Sequence, residues 1–141
     1  MIDNEKIKII TSVKDWESAI KEVAQILLDL GSITTEYIDA MIKNVKENGS
    51  YIVIGPYIAL PHAKREKGVL KTDISMLKLE KEVAFPNNKP VKLLICLAAR
   101  NDDEHLDILS QIGDLLLDDD KVEKVLKSND INELRGLING L

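Results

Sequence analysis

The chain has 141 residues, of which 45% are hydrophobic and 30% are charged, a composition typical of one soluble globular domain. Its net charge of −5 and its 4% content of aromatic residues argue against a nucleic-acid partner, because phosphate backbones attract basic surfaces and bases stack on aromatic rings. The only cysteine, Cys96, excludes a disulfide scaffold and favours a reducing compartment. No apolar run approaches the ~20 residues of a membrane span, and the N-terminus is too polar for a signal peptide, so we expect a cytoplasmic protein.

The first third of the chain predicts one strand followed by two helices. Short alternation and β-branched residues over 6–10 favour the strand. Apolar residues at helical spacing follow Asp15, which can cap a first helix that ends at Gly31. A second apolar stripe begins after Thr34 and ends at Gly49, which predicts the second helix.

The middle of the chain is rich in strand signals. Residues 50–54 and 57–60 are short β-type runs on either side of a Gly-Pro turn, and residues 72–79 predict a third strand. After a turn-rich segment, residues 91–99 are nearly all apolar. Such a run is typical of a central strand that is covered on both faces.

The last third of the chain predicts helices. Asn101 or Asp102 can cap the first of them, and a short helix is expected around residues 122–126. A final helix begins at Asp130, with Glu133 three residues later in the pattern of a capping box. Helices on both sides of a strand-rich centre indicate a single α/β domain in layers around a mixed sheet.

Two histidines, His62 and His105, are the candidates for chemistry. Imidazole is both nucleophilic and partly neutral near neutral pH. Each histidine closely follows a predicted strand, and open α/β sheets bind ligands in the crevice beyond the carboxyl ends of their strands. If those two strands are parallel neighbours, the two rings meet in that crevice.

The surroundings of the histidines suit an anion such as a phosphoryl group. The predicted helix start at residues 101–104 offers free N–H donors, and Lys64, Arg65 and Arg100 supply positive charge. A plainer interpretation stays open from these residues alone. In it, residues 64–67 form a solvated loop and the acidic residues 102–104 simply favour the first turn of a helix.

Other chemistries are not supported by the sequence. Cys96 is expected to fill the core, and the two histidines lack the close spacing of zinc ligands. The Gly55-Pro56-Tyr57 turn lacks the Gly-Lys-Ser/Thr element of a phosphate-binding P-loop. No nucleophile-elbow serine motif is present. We therefore predict neither a metal nor a cofactor.

The segment around His62 resembles the active-site signature of the fructose/mannitol-type (type 2) enzyme IIA family of the bacterial sugar phosphotransferase system. Every position of that signature is matched, by Glu47, Ile54, Gly55, Ile58, Ala59, Leu60, Pro61, His62 and Ala63. Residues 98–106 resemble the family's second block, which carries an auxiliary histidine. The likeness covers nearly the whole chain, and the stretches 51–54 and 58–63 look closest to the ascorbate-type members.

The resemblance implies a fold and a site. The fold would be a three-layer α/β/α sandwich with a mixed, mostly parallel sheet of about five strands, in one enzyme IIA domain over residues 1–141. His62 would carry the phosphoryl group as a tele-phosphohistidine, bonded through Nε2, and His105 would stabilise that group. Lys64 and Arg100 are the residues we expect to bind the phosphate.

The resemblance also implies partners. The phosphoryl group would come from the phosphocarrier HPr and pass to a cysteine of an enzyme IIB subunit during uptake of a sugar or a sugar acid, an ascorbate-like one included. Membrane contact would be indirect, through enzyme IIC, and a homodimer is compatible with this interpretation. The alternative is a regulatory domain of the same family, whose phosphorylation state controls a partner protein.

Two features refine the resemblance. Mannitol-type members carry an arginine where this chain has Lys46, and an acid near Pro56, so those supporting roles are not transferred and mannitol itself is a weaker expectation. We also expect an apolar rim of Ile54, Tyr57 and Ile58 to help dock partner proteins.

Overall fold

The structure, a computed structural model, describes residues 2–139. Within that range it contains five strands and five α-helices. In chain order these are β1 (Ile7–Ile10), α1 (Trp16–Asp29), α2 (Thr35–Asn48), β2 (Val53–Gly55), β3 (Tyr57–Ala59), β4 (Asp73–Phe85), β5 (Lys89–Ala98), α3 (Asp102–Leu116), α4 (Asp119–Lys127) and α5 (Ile131–Asn139).

Helix starts lie where the local sequence predicts them. The Asp15 carboxylate accepts a hydrogen bond from the Ser18 amide at 2.8 Å, and Asp130 accepts one from the Glu133 amide at 2.9 Å. At α3 the cap is Asn101, whose side chain accepts from the Glu104 amide at 2.9 Å. Asn101 rather than Asp102 is therefore the N-cap of the helix that carries His105.

The five strands form one sheet in the order β1-β4-β5-β3-β2. The pairs β1–β4 and β3–β5 are parallel, whereas β4–β5 and β2–β3 are antiparallel. The sheet is therefore mixed and five-stranded, as expected, but half of its pairs are antiparallel, so it is not mostly parallel. The reason is the length of two connections, because the short links between β2 and β3 and between β4 and β5 can only join antiparallel strands.

The side chains of β5 alternate between two cores. Leu94, Cys96 and Ala98 face a core formed with α1 and α2. Leu93, Ile95 and Leu97 face a second core formed with α3, α4 and α5. The predicted run at 91–99 is thus a central strand buried on both faces, and the three-layer α/β/α architecture is confirmed.

The strand β4 is longer than the predicted 72–79. It continues to Phe85 because its second half pairs with the start of β5, where Val83 lies opposite Val91 and Phe85 lies opposite Lys89. Residues 80–82 are exposed, so hydrophobicity alone did not reveal this extension. No helix within residues 2–139 has both the length and the apolar character that crossing a membrane requires.

Candidate functional site

The parallel pairing of β3 and β5 places His62 at the carboxyl edge of the sheet. Ile58 lies opposite Leu93 and Ala59 lies opposite Leu94. The pairing continues beyond β3, because the Leu97 amide donates to the Pro61 carbonyl oxygen at 3.1 Å. His62 is therefore held beside the end of the central strand, from which the chain enters α3.

His105 reaches the same place from the first turn of α3. The centroids of the His62 and His105 rings are 6.4 Å apart and their planes are at 83°. Both side chains are half-buried. The meeting of the two rings that the sequence predicted for parallel neighbouring strands is observed.

The His62 ring is held in a defined orientation. Its Nδ1 lies 2.6 Å from the carbonyl oxygen of Leu60. A carbonyl oxygen can only accept, so Nδ1 must carry the proton and donate it. In the neutral ring, Nε2 then keeps its lone pair and is the nucleophilic atom. The ring also contacts Tyr51 edge to face, with a centroid separation of 5.9 Å.

Tyr37 connects the histidine loop to the central strand. Its hydroxyl donates to the Leu97 carbonyl oxygen at 2.7 Å and accepts from the Ala63 amide at 3.1 Å. Burial raises the pKa of this phenol far above its usual value, so the group stays neutral and able to donate. The sequence alone does not reveal this contact, because Tyr37 fits the apolar stripe of α2 and nothing nearby indicates a partner for its hydroxyl.

The two histidines line one cavity of about 710 Å³. Its wall on the α2 side carries Asn44 and Asn48, which lie one helical turn apart, and Tyr51 follows. The sequence offered one signal for these amides. Asn44 and Asn48 are four residues apart and in line with Tyr37 and Met41 at the edge of the apolar stripe of α2, so both lie on the same side of the helix.

The cations of the cavity differ in part from those expected. Lys64 lines it, as does Arg65, whose Nη1 lies 2.8 Å from a carboxylate oxygen of Asp102. The hydrogen bond to Asp102 raises the pKa of Arg65 above its usual value. Arg100 is not among the lining residues, because its guanidinium is bound to Glu104 at 2.8–2.9 Å. The location of Arg100 thus gives no support to its predicted phosphate-binding role.

The hydrogen bonds of Glu104 explain why Arg100 is turned away. Its carboxylate binds Arg100 and the hydroxyl of Thr72, and these hydrogen bonds hold the pKa of Glu104 below its usual value. Lys46 also lies outside the cavity lining, since its ammonium pairs with Glu17 at 3.3 Å.

The predicted apolar rim does not surround His62. Ile58 is buried in the core, while Ile54 and Tyr57 line a separate cavity at the amino ends of β3 and β5. The error arose because the strand between Tyr57 and His62 separates them along the sheet. The exposed aromatic side chain beside His62 is instead Tyr51.

Metal ligands are not grouped in this site. Within residues 2–139, no three or more histidine, cysteine, aspartate or glutamate side chains come together in a way that could hold a metal ion. The polar groups of the cavity include two amides, two cations and two imidazoles, which can bind an oxyanion, and also the carboxylates of Glu66 and Asp102.

Comparison with known proteins matches this geometry to a family. The model of the "Phosphoenolpyruvate-dependent sugar phosphotransferase system, EIIA 2" family matches residues 1–140. The chain belongs to this family. It is therefore a phosphotransferase component of the kind that acts in sugar uptake, as the resemblance of the sequence predicted.

Individual relatives of this enzyme IIA chain include two with different named sugars. The mannitol-specific cryptic phosphotransferase enzyme IIA component of Escherichia coli (strain K12) is 38% identical over 133 residues, which cover 94% of this chain and 90% of the relative. The ascorbate-specific PTS system EIIA component of the same organism is 29% identical over 141 residues, covering 98% and 92%. Of these two, the mannitol-specific relative is the more similar over the whole chain.

Solved structures share the fold. The solution structure of the mannitol-specific cryptic enzyme IIA from Escherichia coli superposes with a TM-score of 0.91 at 36% identity, covering 97% of this chain and 94% of that one. The enzyme IIA in the complex of enzyme IIAMTL with phosphorylated enzyme IIBMTL from Escherichia coli has a TM-score of 0.87 at 26% identity, covering 100% and 99%.

Proposed function

We propose that this enzyme IIA accepts a phosphoryl group from HPr on Nε2 of His62 and passes it to a cysteine of an enzyme IIB subunit. The observation that carries the proposal is the 2.6 Å contact between Nδ1 of His62 and the Leu60 carbonyl oxygen. This contact fixes the proton on Nδ1 and leaves Nε2 as the atom with a free lone pair. The product is a tele-phosphohistidine.

The transfer itself requires positioning more than covalent machinery. The lone pair of Nε2 forms the new bond to phosphorus, while the bond between phosphorus and the donor atom of HPr breaks and its electron pair stays with HPr. In the second step a cysteine thiolate of enzyme IIB forms the bond to phosphorus, and the electron pair of the P–N bond returns to Nε2. No proton has to leave the ring in either direction, because Nδ1 keeps its own.

His105 supports the phosphoryl group in this proposal. With ring centroids 6.4 Å apart, one His105 nitrogen can donate to an oxygen of a phosphoryl group that stands on Nε2 of His62. A hydrogen bond to an oxygen of a doubly charged phosphoryl group is charge-assisted and therefore stronger than a bond between neutral groups.

Charge neutralisation also needs cations near the phosphoryl oxygens. Lys64 lines the cavity beside His62, and we assign it a phosphate-binding role. Arg100 has no role in this proposal. Its guanidinium is hydrogen-bonded to both carboxylate oxygens of Glu104, and Glu104 does not line the cavity.

Enzyme IIB is expected to dock over the histidines. A structure similar to this chain is a complex of an enzyme IIA with a phosphorylated enzyme IIB. Tyr51 contacts the His62 ring, lines the cavity of both histidines and is 47% exposed, so apolar area is available beside the site. A transient interface of less than ~1,200 Å² suits a carrier that must release each partner in turn. Both partners are expected in the cytoplasm.

One experiment tests this function directly. The purified chain is incubated with phosphoenolpyruvate, the general phosphotransferase proteins and HPr, and its intact mass is measured. We expect an acid-labile gain of one phosphoryl group that is absent in His62→Ala and retained in His105→Ala. Addition of enzyme IIB from a mannitol or an ascorbate system should then discharge it. A wild-type chain that gains no mass would refute the proposal.

A further inference from the structure

An ion pair between Arg65 and Asp102 lies in the lining of the cavity that the two histidines share. Arg65 follows His62 by three residues, and Asp102 precedes His105 by three residues in the first turn of α3. The guanidinium and carboxylate are 2.8 Å apart, and both residues line the cavity. The loop of one histidine is thus linked by charge to the helix of the other.

Phosphorylation of His62 would change the charge balance of this cavity. The phosphoryl group brings close to two negative charges, and the first turn of α3 already carries Asp102, Asp103 and Glu104. Among the described residues that line the cavity, two have cationic side chains, Lys64 and Arg65. In the unphosphorylated protein one of these two is bound by Asp102.

We propose that Arg65 exchanges Asp102 for the phosphoryl group when His62 is phosphorylated, and that Asp102 holds this cation in place while His62 is free. This inference rests on the proposed function. Arg65 is the residue that touches the phosphoryl oxygens, and Asp102 acts through it. The exchange moves no proton and breaks no covalent bond.

The exchange is physically easy because the two interactions differ in strength. The Asp102 side chain is 83% exposed and that of Arg65 39%, so their ion pair is a surface pair of low stability. A guanidinium matches the oxygens of a phosphoryl group with two parallel hydrogen bonds, and the dianion attracts it more strongly than a carboxylate does. Asp102 thereby competes with the phosphoryl group for Arg65. This competition keeps the carrier from binding the phosphoryl group too tightly.

The test measures the equilibrium share of phosphorylated protein against a limiting pool of phosphorylated HPr. For Arg65→Gln we expect the equilibrium constant for phosphoryl transfer from HPr to fall about tenfold, because one charge-assisted hydrogen bond is lost. For Asp102→Asn we expect a rise of about threefold, the effect of releasing a surface ion pair. In the double variant the rise should disappear, because the residue through which Asp102 acts is absent.

Arg100→Gln is the matched control, since Arg100 is also paired to an acid of the same helical turn but does not line the cavity. We expect no change in its equilibrium constant. If Asp102→Asn raised the equilibrium constant equally with and without Arg65, Asp102 would act by direct charge repulsion, and the inference would be wrong. Equal effects of Arg65→Gln and Arg100→Gln on the equilibrium constant would also overturn it. A wild-type chain that takes no phosphoryl group would instead refute the proposed function and this inference with it.

Discussion

The hydroxyl group of Tyr37 donates to the carbonyl oxygen of Leu97 at a distance of 2.7 Å, although the two residues are 60 positions apart in the chain. The same hydroxyl accepts from the amide of Ala63, directly after His62. One side chain of α2 therefore fixes the histidine loop against the end of the central strand. Orientation of the nucleophile is thus built into the packing of the sheet and not left to the loop itself.

Replacement of Tyr37 by phenylalanine tests this linkage. The Ala63 amide and the Leu97 carbonyl would each lose a partner, so we expect the free energy of unfolding in urea to fall by about 1–3 kcal/mol. The rate of phosphorylation by HPr should fall as well, because the loop is less well positioned. Tyr57→Phe, at an exposed hydroxyl far along the sheet, is the control and should change neither quantity. An unchanged phosphorylation rate in Tyr37→Phe would contradict a positioning role.

Loss of His105 should slow transfer without preventing it. A charge-assisted hydrogen bond to a phosphoryl oxygen contributes about 2 kcal/mol, which corresponds to roughly a thirty-fold change in rate. We therefore expect His105→Ala to be phosphorylated on His62 and to donate to enzyme IIB about thirty-fold more slowly in a single-turnover assay. A variant that transfers at the wild-type rate would remove His105 from the mechanism.

The ion pair between Lys6 and Asp73 should stabilise the fold in a pH-dependent manner. Their charged atoms are 2.8 Å apart, and Ser32 also donates to the buried carboxylate. Burial alone would raise the pKa of Asp73, but the hydrogen bonds from Lys6 and Ser32 outweigh it and lower the pKa below 3.8. A lowered carboxyl pKa gives stability that is present above 3.8 and is lost as the pH falls through the folded-state pKa.

The variant Lys6→Met measures that contribution. At pH 7 we expect a loss of about 1–3 kcal/mol in the free energy of unfolding, because a buried carboxylate loses its cationic partner. The difference in the free energy of unfolding between wild type and Lys6→Met should become smaller at acidic pH, where Asp73 is protonated. Lys8→Met breaks the exposed pair with Glu22 and should cost less than about 0.5 kcal/mol at either pH. A gap for Lys6→Met that does not depend on pH would refute the assignment to Asp73.

The thiol of Cys96 should be inert in the folded protein. It is fully buried on β5, and burial raises its pKa to about 12. Iodoacetamide at pH 8 should therefore leave the native chain unmodified over minutes and alkylate it once in urea, as read from the intact mass. Rapid modification of the native protein would show that the central strand is accessible.

Local chemistry made much of the fold predictable. Asp15 and Asp130 satisfy free amides at helix starts, and such contacts depend only on residues within the same turn. The apolar run of β5 likewise indicates by its composition that the strand is buried. Because His62 and His105 each follow a strand, their meeting needed only one further condition, the parallel pairing of β3 and β5.

Partners distant in sequence made the rest unpredictable. The extension of β4 to Phe85 depends on pairing with β5, and nothing in the apolar stripe around Tyr37 indicates where its hydroxyl binds. The sequence did contain a signal that Arg65, and not Arg100, lines the cavity. Arg100 lies four residues before Glu104, just ahead of the start of α3, and this short separation is a signal for the ion pair that keeps Arg100 out of the cavity.

Nitrogen NMR of the phosphorylated protein tests the assignment of the proton to Nδ1 of His62. With ¹⁵N-labelled histidine, we expect a phosphorus–nitrogen coupling at Nε2 of His62 and a proton on Nδ1, hydrogen-bonded to Leu60 as in the free protein. A coupling at Nδ1 of His62, or at either nitrogen of His105, would contradict it.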